Sequence, residues 1–147
     1  MTSPKAVAYS CLALVAALYV VGAVSVPPGS LRHEVQTLPL WFPIIAGLQK
    51  NELAKWTALP CLIFWLTTMI FIWLFLLGWA RIVTGHFPPT EIAMTVVVGA
   101  ASIVGLWVIL RWRTAVRLVT ASGMVLLFAV LQLLAFRLSL IPYVARR

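Results

Sequence analysis

Four runs of about twenty predominantly apolar residues, at 6–26, 57–80, 91–110 and 118–136, dominate this chain. About twenty residues is the length at which an α-helix crosses the hydrocarbon core of a bilayer. Backbone polar groups have no water to bond to in lipid, so a spanning segment must be a helix or part of a closed barrel. Runs this long, with no polar alternation, are helical. The expected fold is an all-α integral membrane protein, a four-transmembrane-helix bundle forming a single membrane domain over 1–147. Only 10% of its 147 residues are charged, against about 25% in soluble domains.

The run boundaries carry their own signals. Pro27-Pro28-Gly29 stops the first helix, because proline lacks the donor that continuation requires. Thr84-Gly85 marks the exit from the second. Pro88-Pro89-Thr90-Glu91 opens the third with a cap-like Thr and an acid at the positive end of the helix dipole. The basic turn Arg111-Trp112-Arg113, followed by Arg117, separates the third run from the fourth and predicts an antiparallel hairpin. Lys5 ahead of the first run, with Ala23 and Ser25 at cleavage-type spacing, also fits a signal peptide. That run exceeds the roughly 7–15 apolar residues of a signal sequence, so an uncleaved anchor is expected.

The connection between the first and second runs has about 30 residues, far beyond the usual loop. Its centre, 38–48 (Leu-Pro-Leu-Trp-Phe-Pro-Ile-Ile-Ala-Gly-Leu), is wholly apolar. Alone it is too short to span, and it lacks the polar face of an interfacial helix. A long apolar interfacial or re-entrant segment is expected there, covered by this chain's helices or by a partner, with anchoring of Trp41 at headgroup depth as the alternative. Asn51-Glu52 reads as the start of the next helix.

Every ionisable side chain falls at or near the end of a run. An even number of spans would put both termini on one face with Lys5, Arg81, Arg137, Arg146 and Arg147. Arg32, Lys50, Lys55, Arg111, Arg113 and Arg117 would then lie on the other, which leaves orientation undecided by the positive-inside rule. Coupled transporters place an acid, base or His at mid-membrane, and no such residue stands here. The deepest polar side chains are Thr67, Thr68, Thr95, Ser102, Ser122 and Gln132. Hydroxyls bond back to their own helix. The Gln132 amide needs a neighbouring helix, a partner subunit or a ligand.

No catalytic or metal-binding constellation stands out, and no cofactor is expected. His33 and His86 fall in connections on opposite faces under this topology. The chain has no Asp, and Glu34, Glu52 and Glu91 are scattered. Cys11 and Cys61 should differ in depth by roughly 15 Å, beyond the disulfide limit of about 7 Å, so two free thiols are expected. The net charge of +8 forms no nucleic-acid-binding stripe.

Small residues let membrane helices approach closely. The first run offers Ala13, Ala16, Ala17 and Gly22, and the third Gly99, Ala101, Ser102 and Gly105, which puts these two helices at the bundle centre. The second run spreads Phe64, Trp65, Phe71, Trp73, Phe75 and Trp79 over several faces, and Pro60 permits a mild bend. The leading functional expectation is a non-catalytic small subunit or assembly factor of a larger membrane complex. Its partners would be lipids and other membrane subunits or further copies of itself, and its setting a prokaryotic cell membrane. Contacts are assigned to Trp41, Phe42, Ile44, Ile45, Trp65, Trp73 and Gln132. The alternatives are a homo-oligomeric transporter or channel for a neutral or hydrophobic solute, with 38–48 as gate and Thr67, Thr68 and Gln132 lining the path, and a lipid- or quinone-binding protein with Trp41 and His33 at the headgroup.

Overall fold

The computed structural model describes residues 3–25, 31–81, 87–141 and 144. Pro27-Pro28-Gly29, Thr84-Gly85, His86, Arg146 and Arg147 lie outside them. The regular elements among the described residues are five helices: α1 (Ser3–Ser25), α2 (Arg32–Leu48), α3 (Leu53–Leu76), α4 (Pro89–Arg111) and α5 (Leu118–Ser139). All but α2 are long and apolar enough to cross a membrane. The protein is therefore a membrane-embedded bundle of four long apolar helices, with the shorter α2 packed among them.

Segment 38–48 is the larger part of α2, a continuous helix about 25 Å long. It lies antiparallel along the whole of α1. Near one end a Cβ on Gly22 would sit 3.1 Å from the His33 ring, and near the other a Cβ on Gly47 would sit 2.6 Å from the Pro4 carbonyl oxygen and 2.9 Å from Ala8 Cβ. Pro39 and Pro43 stand inside α2. Each lacks the amide hydrogen that would reach the carbonyl four residues earlier, so those of Val35 and Pro39 have no intrahelical donor. The helix closes on Lys50 at φ 60°. Asn51 N bonds Ala46 O at 2.8 Å and Lys50 N bonds Gly47 O at 3.1 Å, the paired bonds of a Schellman stop.

Because α2 travels the height of the bundle, α3 runs parallel to α1, and the start of α1 and the end of α5 lie at opposite ends. This corrects the expectation that the first span begins on the face where the last one ends. It also corrects the depth assigned to the cysteines. A Cβ on Gly105 would meet Leu62 Cδ1 at 2.7 Å and Ser10 Cβ at 3.1 Å, so Ser10 and Leu62 share a level, and with them their neighbours Cys11 and Cys61. Both cysteines are free and fully buried.

α4, α1 and α2 form a row, α3 packs against all three, and α5 rests on α2 and α3. α1 is the most enclosed of the four long helices, burying Val7, Ala8, Cys11, Leu14, Val15 and Leu18. α4 and α5 make no substantial contact, so the expected hairpin does not form. Residues 112–117 are irregular, and six residues can reach roughly 20 Å, enough to pass beneath α3. Two α3-end groups hold this crossover: Glu52 Oε2 accepts from Ala115 N at 3.0 Å, and Lys55 Nζ donates to the Trp112 carbonyl oxygen. The cap-like role given to Thr90 falls instead to extended Pro88, with Pro89 in the first turn and no side-chain cap. A fixed φ suits proline to that position.

Candidate functional site

α5 docks through a narrow seam of Ala121, Phe128, Gln132, Ala135 and Ser139, spaced seven, four, three and four residues apart like the contact positions of a coiled coil. The polar members fix its position against α2. Gln132 Nε2 donates to the Gln36 carbonyl oxygen at 3.1 Å. Gln36 Nε2 donates to Ser139 Oγ at 2.9 Å, and Ser139 Oγ donates to Phe136 O at 2.6 Å. Phe128 meets Phe42 of α2 at a ring separation of 5.2 Å. Gln36, Gln132 and Ser139 are all buried. Gln132 Oε1 and Trp65 Nε1 have no hydrogen-bond partner among the described residues.

At the same end His33, in the first turn of α2 and level with Gly22 near the end of α1, has a pKa below the ordinary 6.5. Burial is the largest cause and the neighbouring Arg32 guanidinium the next, partly offset by Gln36 and Glu91. The imidazole is therefore neutral near pH 7. Among the described residues, no group of three or more His, Cys, Asp or Glu side chains is placed to hold a metal ion.

The residues assigned to contacts divide between inside and outside. Ile44, Trp65 and Gln132 are buried within the chain. Leu38, Trp41, Phe42, Ile45 and Leu48 are exposed, and their spacing of three, one, three and three residues places them on one face of α2. The sequence had suggested that 38–48 is apolar on every side, and the helix shows why: Pro39, Leu40, Pro43, Ile44, Ala46 and Gly47 face the core while the other five face out. Trp73 borders a cleft between α3 and α4. Thr67 is exposed and Thr68 bonds back to Phe64 O at 2.9 Å, so with buried Gln132 they do not converge on one path.

Of the small residues, Ala17, Ser102 and Gly105 are buried and Ala101 packs against the core. Ala13 is exposed, and Gly99 lines the α3–α4 cleft with open space where a Cβ would stand. The contacts that sequence reasoning missed are those of Gln36, Ser139 and Gly47. A glutamine between a basic helix start and a proline carried a usable signal, since a polar amide on an otherwise apolar helix must find a partner.

Compared with models of known protein families, with curated proteins and with solved structures, the chain matches none.

Proposed function

We propose that this chain is a non-catalytic small subunit or assembly factor of a larger membrane complex, and that it meets its partner through the outer face of α2. The observation that carries this reading is the stripe Leu38, Trp41, Phe42, Ile45 and Leu48, exposed along the helix. Aromatic residues are enriched among the residues that dominate binding energy at interfaces. α2 is a suitable element to present them. Its inner face is fixed by Gly47 against Pro4 and Ala8 and by Gln36 against Ser139, so the stripe is held rigidly and loses little freedom on docking. The buried polar atoms of the α2–α5 seam serve register, and the scattered Glu34, Glu52 and Glu91 supply no paired acid and base.

Extraction in mild detergents at native expression, followed by sizing and mass spectrometry, tests the reading. It expects a stoichiometric complex with another membrane protein or with further copies of this chain. Recovery of monomer alone across several detergents would refute it.

A further inference from the structure

The α3–α4 cleft has a volume of about 450 Å³ and is lined by Met69 and Trp73 of α3, by Leu77 just past its end, and by Thr95, Gly99 and Ile103 of α4, among others. Its lining offers an occupant almost nothing polar. The Thr95 hydroxyl is already committed to Ile92 O at 2.7 Å. Both walls belong to helices apolar enough to cross the membrane, so the cleft opens sideways into lipid. From Leu66 to Leu77 it runs about 16 Å along α3, and from Thr95 to Ile103 about 12 Å along α4. That is close to half of a 30 Å hydrocarbon core, the depth of one leaflet, whereas a partner helix would need a groove of full height.

The cleft follows the C-terminal half of α3 and ends at Leu77, where Gly78 at φ 76° turns the chain. Trp79, 77% exposed, and the exposed cation Arg81 come next. An indole and a guanidinium at the end of a span are the groups that meet lipid headgroups.

We propose that this cleft holds one acyl chain of an anionic phospholipid from the leaflet at the α3–α4 end, with Arg81 facing its phosphate. The geometry is independent of the subunit reading above and requires only that the bundle sits in a bilayer. Gly99 is the residue that keeps the floor open, since a Cβ there would meet nothing within 4 Å. Gly99→Leu would project a side chain into this open space and narrow the cleft, and leucine favours the helix.

The test uses the full chain in phosphatidylcholine vesicles containing a minor fraction of phosphatidylglycerol with a photoactivatable diazirine on its acyl chain. Mass spectrometry then maps the adducts. The expected result is adducts concentrated on 66–77 and 95–103, reduced in Gly99→Leu to the level of the lipid-facing surface of α5. Arg81→Gln should lower them about fivefold, the effect of one surface cation on an anionic headgroup. A phosphatidylcholine probe that labels the cleft equally well would overturn the proposal, as would adducts that survive Gly99→Leu. So would a cleft that takes up no lipid label, as one closed by a second copy of the chain would.

Discussion

Gln132 of α5 donates to the main-chain oxygen of Gln36 on α2 at 3.1 Å, from a position only 1% exposed. An amide in the apolar part of a membrane helix thus finds its acceptor on a helix that carries two prolines. The carbonyls that the prolines leave without a helical donor are those of Val35 and Pro39, so Gln132 does not fill one of these vacancies but takes the second lone pair of a carbonyl within the regular helix. Interhelical hydrogen bonds of this kind contribute about 0.6 kcal/mol on average, and at most about 1.7. Gln132→Leu should therefore destabilise the bundle by about 1 kcal/mol or less, measured by denaturant unfolding in detergent. Gln132→Glu, which risks an unpaired buried charge, should cost more than Gln132→Leu.

The glycines rank by what surrounds them. Gly47→Ala would drive a methyl to 2.6 Å from the Pro4 carbonyl oxygen, a backbone atom that can yield only if the helices part. Overpacking of this kind costs about 1–3 kcal/mol. At Gly105 the nearest atom is the far end of the Leu62 side chain, at 2.7 Å, so alanine should cost less there. Gly99→Ala meets open space and should be neutral or stabilise by up to about 1 kcal/mol through helix propensity. Thermal unfolding of the three variants in one detergent checks the order.

His33 gives the protein a pH dependence of definite sign. Its folded pKa is lowered from 6.5, so the unfolded chain takes up the proton first, and stability falls as pH drops below about 6.5 until the lowered folded value is reached. Melting temperatures between pH 8 and 5 should decline on the acid side. His33→Gln should flatten that slope.

The arrangement of α2 also sets Ser3 and Ile141 at opposite ends of the bundle. In a background with Cys11→Ser and Cys61→Ser, cysteines introduced as Ser3→Cys and Ile141→Cys should react with a membrane-impermeant maleimide from opposite sides of oriented vesicles. Labelling from the same side would mean that α2 does not cross the bilayer.

How far the sequence disclosed this architecture depends on the element. The four long helices were legible because a twenty-residue apolar run has one outcome in lipid, and their ends fell within a few residues of the expected ones. α2 was not, because its 17 residues begin with Arg32, His33 and Glu34 and include Gln36, Thr37 and two prolines. Those polar groups are settled by partners far away in the chain or by the helix itself: Gln36 by Ser139, Thr37 by Glu34 O at 2.9 Å. Spacing alone does not reveal such pairings. The misplaced depth of Cys61 followed directly, since it rested on α3 running opposite to α1. For the candidate site, the need of Gln132 for a partner was readable, but its acceptor is a backbone oxygen and leaves no mark in the side-chain pattern. Of the residues assigned to contacts on α2, Trp41, Phe42 and Ile45 are exposed, while Ile44, one position away, turns inward because of the helical period.

The proposal that α2 docks a partner is tested most directly by comparing Trp41→Ala/Ile45→Ala with Val130→Ala/Leu133→Ala, a pair of exposed apolar residues on α5, in quantitative mild-detergent co-purification at native expression. The account predicts that the α2 pair reduces the stoichiometric partner by tenfold or more, the equivalent of about 1.4 kcal/mol, while the α5 pair leaves it unchanged and both variants retain the parental melting temperature. Equal retention of the partner in the two variants, or a parental chain that carries no stoichiometric partner, would contradict it.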